Sequence, residues 1–107
     1  MASGVYNRIN ITSVNTDTVL VSNTAVDAGK TSVMTINIVN TTTNPAKIRL
    51  SLASGATATQ GEYLEYDTNV GPLGVIERTG VVVPRGLNVL ARSDTANVNF
   101  IAYGLEG

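Results

Sequence analysis

Apolar residues in this chain recur at every second position and almost nowhere at helical spacing. Ile9 and Ile11 alternate with Asn10 and Thr12. Met34, Ile36 and Ile38 alternate with Thr35, Asn37 and Val39, and Ile48, Leu50 and Leu52 with Lys47, Arg49 and Ser51. Val98, Phe100 and Ala102 alternate with Asn99 and Ile101. A period of two sends alternate side chains to opposite faces of a strand. Val, Ile and Thr dominate, and β-branched side chains suit strands. No window holds an i, i+3, i+4 apolar pattern long enough for a helix. Each run therefore reads as a strand with one face in a core and the other toward solvent or a partner.

Turn residues divide the runs. Asp27-Ala28-Gly29-Lys30 places a Gly where φ > 0 is expected. Asn44-Pro45 ends the Met34 run, because Pro cannot sit in a central ladder. Residues 53–61 form a loose Ala/Thr/Gly loop, and 71–74 make another break. Pro84-Arg85-Gly86 and Ser93-Asp94-Thr95-Ala96 read as short hairpin connections. The strands expected are 8–14, 18–23, 32–40, 46–53, 62–67, 75–83, 87–92 and 97–103. Gly80, inside the sixth, predicts a bulge or a close approach of backbone.

With 107 residues, positions 1–107 are expected to form one domain. The fold class expected is all-β: a single antiparallel β-sandwich, Ig-like or jelly-roll-like, of about eight strands. Ile36, Ile38, Ile48, Leu50, Val89, Val98 and Phe100 are its expected core. Residues 1–8 precede the first clear strand and are expected to serve as a docking arm, with Tyr6 and Asn7 in its contact surface.

The chemistry available is narrow. The chain has no His, Cys or Trp, which leaves carboxylates, Lys and Tyr for acid–base work. Glu62, Glu65 and Asp67 in GEYLEYD are the densest carboxylates, with Glu65 and Asp67 sharing one strand face. No sugar cleft accompanies them, so no catalytic residue is assigned. They are expected to be solvated or paired with Arg8, Arg49, Arg78, Arg85 or Arg92. Asp17, Asp27 and Asp67 lack the D-x-D-x-D-G calcium loop, so no metal is assigned. The glycines are scattered and make no phosphate loop, so no cofactor is expected. A net charge of −1 and isolated Tyr6, Tyr63, Tyr66 and Tyr103 offer no nucleic-acid surface. No run approaches the roughly 20 apolar residues of a membrane helix, and no signal peptide is visible at the start. Tyr63 and Tyr66 fall on opposite faces of their strand, one in the core and one at the surface, where it could stack on a sugar. Asn10-Ile11-Thr12 and Asn40-Thr41-Thr42 match the glycosylation sequon, as chance allows in a chain so rich in Asn and Thr.

What remains is association. Charged residues make up 14% of the chain, against about 25% in an average domain. Solubility rests instead on Thr, Asn and Ser, and such a surface suits contact with another protein. In the last strand Ile101 and Tyr103 lie opposite Phe100, beside Asn97 and Asn99. These four residues are the expected interface, and a homo-oligomer, as a trimer or another symmetric cluster, is the expected assembly.

Two stretches carry a likeness. AGKTSVMTINIVNTTTNPAKIRLSL sets a Gly turn, a strand, an Asn-rich turn and a second strand in order. EYLEYDTNVGPLGVIERTGVVVPRGLNVLARSDTANVNFIAYGLE follows it. Together they resemble a small β-sandwich domain of virion structural proteins of tailed bacteriophages. There the domain occurs as capsid decoration (cement) proteins and as modules of tail and fibre proteins. The resemblance covers about residues 25–107 and lies in strand and turn residues, without a chemical motif. It implies a non-enzymatic virion protein, assembled in the host cytoplasm, that binds and braces the capsid lattice. Its partners would be the major capsid protein or other virion proteins. A tail- or collar-associated position, and a carbohydrate- or ligand-binding sandwich, are the alternatives.

Overall fold

The computed structural model describes residues 4–107. It is built of eight strands: β1 (Gly4–Asn10), β2 (Thr18–Val21), β3 (Thr31–Asn40), β4 (Ala46–Ala53), β5 (Tyr63–Val70), β6 (Val75–Pro84), β7 (Asn88–Ser93) and β8 (Val98–Glu106). They make two four-stranded antiparallel sheets. The front sheet has the order β1-β8-β3-β6 and the back sheet β2-β7-β4-β5. The pairs β4·β5, β3·β6, β2·β7 and β1·β8 are nested. The chain thus behaves as one long hairpin with its tip at β4–β5, rolled so that successive pairs land in opposite sheets. The pairs β3·β8 and β4·β7 then close the middle of each sheet. This is the jelly-roll arrangement of an eight-stranded sandwich.

The core agrees with the alternation. Ile36, Ile38, Ile48, Leu50, Val89, Val98 and Phe100 are all at 0% exposure. Gly80 sits at φ 68°, where β6 spends three steps (Arg78 to Val81) against two on β3 (Met34 to Ile36). That is the bulge its position predicted. Gly29 has φ 74°, and Lys30 N–H closes the turn on the Asp27 carbonyl at 3.0 Å.

Three expectations need correction. The connections at 84–86 and 93–96 are not hairpins, because β6→β7 and β7→β8 both cross between sheets. Turn chemistry, with Gly86 at φ 106° and Asn97 at φ 66°, reverses the chain without saying which sheet it rejoins. The first strand lies at Gly4–Asn10 rather than 8–14. Ile11 is still buried, bending across the end of the sandwich by exchanging backbone hydrogen bonds with Val98 (2.9 Å) and Asn97 (2.7 Å). Residues 4–8 are therefore not a free arm. They pair with β8, and the rest of the expected arm, residues 1–3, lies outside the described residues.

The open sides of the sandwich are clasped by side chains. Asn7 Nδ2 donates to the Leu20 carbonyl at 2.9 Å, joining β1 to β2. Arg78 on β6 pairs with Glu65 and also reaches the Leu64 carbonyl on β5. At one end Asn40, fully buried, donates to the carbonyls of Asn44 (2.7 Å), Val70 (3.1 Å) and Gly71 (3.2 Å). The asparagine of that sequon is thus a structural clamp.

Candidate interaction surface

The outer face of the front sheet is built in rows. β8 lies between β1 and β3, and its register aligns directly opposed residues. One row is Leu105–Val33–Val82. The next is Val5–Tyr103–Thr35. Below them run Arg8–Ile101–Asn37–Glu77 and Asn10–Asn99–Val39–Val75. Among the described residues nine large hydrophobic ones are exposed, and five of them lie here: Val5 (56%), Val33 (52%), Val75 (62%), Val82 (55%) and Leu105 (73%). Arg8 and Glu77 stand at opposite edges of one row, and neither makes an ion pair among the described residues. Between them, Asn37 Oδ1 is buried without a hydrogen-bond partner among the described residues. The centre of this row is incompletely satisfied in the isolated chain.

The back sheet differs because part of its outer face is covered. The connection 54–62 folds across it from β4 toward β7 and β2. Asn88 Nδ2 donates to the Gly55 carbonyl at 2.9 Å, and Ala58 N–H donates to Asp17 Oδ2 at 2.9 Å. Under this flap Leu90 is 1% exposed, although it alternates with the core residues Val89 and Ala91.

The structure separates the six residues expected at an interface. Asn99, Ile101 and Tyr103 are half-buried on the front face, as expected. Asn97 is exposed at the turn before β8, where its Oδ1 accepts from Asn10 Nδ2 at 3.1 Å. Asn7 is exposed but committed to Leu20. Tyr6 is a correction: it is 8% exposed and belongs to the core. Its hydroxyl donates to Glu106 Oε1 at 2.9 Å, and burial pushes that hydroxyl's pKa up. The cause is a bulge. Between Val5 and Asn7 the strand β1 spends two steps against one on β8, so Tyr6 turns inward while Val5 turns out. Val5, Val33, Val82, Leu105, Arg8 and Glu77 were missed. Val33 and Val82 were legible as apolar residues in the outward phase of their strands. Their alignment was not, because it requires the nested pairing.

The carboxylates of GEYLEYD do not converge. Glu62 accepts from Thr59 N–H (2.8 Å) and Oγ1 (2.9 Å), and the Thr59 N–H holds its pKa below the usual carboxylate range. Glu65 pairs with Arg78 and accepts from Thr68 Oγ1 at 2.8 Å. Asp67 takes a two-pronged contact from Arg49, Nε–Oδ1 at 2.7 Å and Nη2–Oδ2 at 3.3 Å. That guanidinium lowers the Asp67 pKa. Among the described residues no three Asp or Glu side chains gather as a metal site.

Tyr63 and Tyr66 are a further correction. They do not point to opposite faces: their rings meet edge-on, with centroids 4.7 Å apart and planes at 78°. β5 carries two irregularities against β4, so Ser51 opposes Tyr63 while Tyr66 and Asp67 together fall opposite Arg49. The bulges reset the alternation that sequence reasoning assumed.

Fold and surface thus define a small jelly roll with one bare sheet face. Comparison with known protein families, with curated proteins and with solved structures finds no match for this chain.

Proposed function

We propose that this chain is a non-enzymatic structural protein that works by association, as a capsid decoration protein of a tailed-phage particle. The observation that carries the reading is the bare, largely apolar face of the front sheet, beside a back sheet whose face is partly folded over by its own loop. The jelly roll is an architecture used by viral capsid proteins as well as by lectins, so fold alone does not decide function. The resemblance across residues 25–107 tips the choice toward the particle.

The first partner this face fits is a second copy. A two-fold axis lying in the contact plane, parallel to the strands, sets Arg8 of each copy against Glu77 of the other. Ile101 and Asn37 exchange places between them, and Leu105 and Val33 do so at one end. This is the self-complementarity that an isologous contact requires. Four strands about 4.8 Å apart and some eight residues long give a face of about 500 Å². Two copies then bury about 1,000 Å², at the low end for specific interfaces. The contact is therefore weak in solution and gains strength where a lattice presents many copies together.

The particle reading is tested on purified phage. An antibody against the chain should detect it on the outside of intact particles, in stoichiometric proportion to the major capsid protein. Particles that lack the chain contradict the reading, and a signal confined to tails assigns it to the tail instead.

A further inference from the structure

We propose that Tyr63, Tyr66, Arg49, Asp67 and Gln60 form a binding site for a neutral saccharide at the edge of the back sheet, independent of the front face. The local chain is bent to assemble it. Regular alternation would part the two tyrosines, yet the irregularities of β5 bring their rings to 4.7 Å. Asp67 holds a left-handed φ of 49°, a conformation that costs a non-glycine residue energy. The core does not require this, since neither tyrosine belongs to it and Tyr66 is 51% exposed. Bulges and strained residues gathered at one surface point accompany sites more than plain sheet.

The chemistry on offer is two-sided, as a sugar ring is. The C–H faces of a pyranose stack on aromatic rings, and its hydroxyl rim pairs with planar polar groups. Arg49 Cζ lies 4.1 Å from the Tyr66 centroid and 5.9 Å from that of Tyr63. The contact to Asp67 engages two of its five N–H donors, so three remain for hydroxyls, and the Asp67 oxygens retain acceptor capacity. Beside the rings is a notch of about 280 Å³ lined by Gln60, Gly61, Tyr63 and Tyr66, close to the smallest ligand pockets. Arg49 and Asp67 neutralise each other, so the site selects neither an anion nor a cation. A neutral saccharide is the ligand that uses both the rings and the charge-balanced Arg49–Asp67 pair.

The chain has no Trp, and two of its four Tyr lie in the site, so saturable changes in tyrosine fluorescence follow binding there. The full chain is titrated with a panel of neutral oligosaccharides built from glucose, galactose, mannose and N-acetylglucosamine. At least one should give a saturable shift at millimolar concentration or below. Tyr66→Ala should weaken that binding about tenfold, the scale of one lost aromatic contact, and Tyr66→Phe should retain it. Because Tyr66 is half-exposed, both variants should melt with the wild type, which separates lost binding from lost folding. No saturable shift with any sugar of the panel overturns the proposal. So does binding that Tyr66→Ala leaves unchanged.

Discussion

At the scale of single residues, burial and close approach decide most of what the chain tolerates. Phe100 is the one Phe and is fully buried between the sheets. Phe100→Ala should cost about 3–5 kcal/mol, a large share of the 5–15 kcal/mol typical of a domain, read as a fall in the urea midpoint. An unchanged midpoint would mean that the inner face of β8 is misassigned. Gly104 is constrained differently. A Cβ there would run into the Val33 carbonyl and stand 2.8 Å from Met34 Cα, both backbone atoms of the adjacent strand. Gly104→Ala should therefore destabilise by forcing β8 away from β3, whereas Gly55→Ala, whose Cβ meets nothing within 4 Å, should melt close to the wild type. Equal melting of the two variants would contradict this close approach.

At the scale of elements, the sequence showed which residues face inward, and the structure decided where each strand goes. Period two identified the core of β3, β4, β7 and β8, because a one-residue error would bury Asn37 or Arg49. It failed on β5, where bulges reset the phase, and at β1, where Tyr6 and Asn7 oppose a single step of β8. Those failures share a cause. Every register shift lies in a pair containing an edge strand (β1·β8, β2·β7, β3·β6, β4·β5), and the two inner pairs, β3·β8 and β4·β7, run regularly. Bulges twist edges away from further pairing, so the edges are guarded. The uncharged run 97–103 needs no such guard, because it lies inside a sheet, between β1 and β3. The association proposed above is thereby directed to a face. β5 also makes a prediction about acid. The pKa of Asp67 is lowered by Arg49, and that of Glu62 by Thr59. A lowered folded pKa contributes stability that is complete above the unfolded value, about 3.9 for Asp and 4.3 for Glu, and is lost as pH falls through the folded one. Urea midpoints measured from about pH 5 down to pH 2 should fall, and Arg49→Gln should flatten that fall. An equally steep fall in the variant would show that the Arg49–Asp67 pair contributes nothing to it.

At the scale of the molecule, the two sheets play different parts. The back sheet covers part of its outer face with residues 54–62, and Leu90 there is buried, while the front sheet leaves Val5, Val33, Val82 and Leu105 in water. Such a patch marks a contact surface on a soluble protein. What the sequence could not show was the row Arg8–Ile101–Asn37–Glu77, because its members are brought together only by the nested pairing of β1, β8, β3 and β6. That row makes the central claim testable without reference to any other protein. The measurement is sedimentation velocity over a range of protein concentrations, for the wild type, Val33→Asp, Arg8→Glu, and the exchange Arg8→Glu with Glu77→Arg. The account predicts a concentration-dependent dimer for the wild type, monomer for Val33→Asp with an unchanged melting temperature, weakened association for Arg8→Glu, and recovery in the exchange. A wild type that stays monomeric at every concentration, or a dimer indifferent to Val33→Asp, would contradict it.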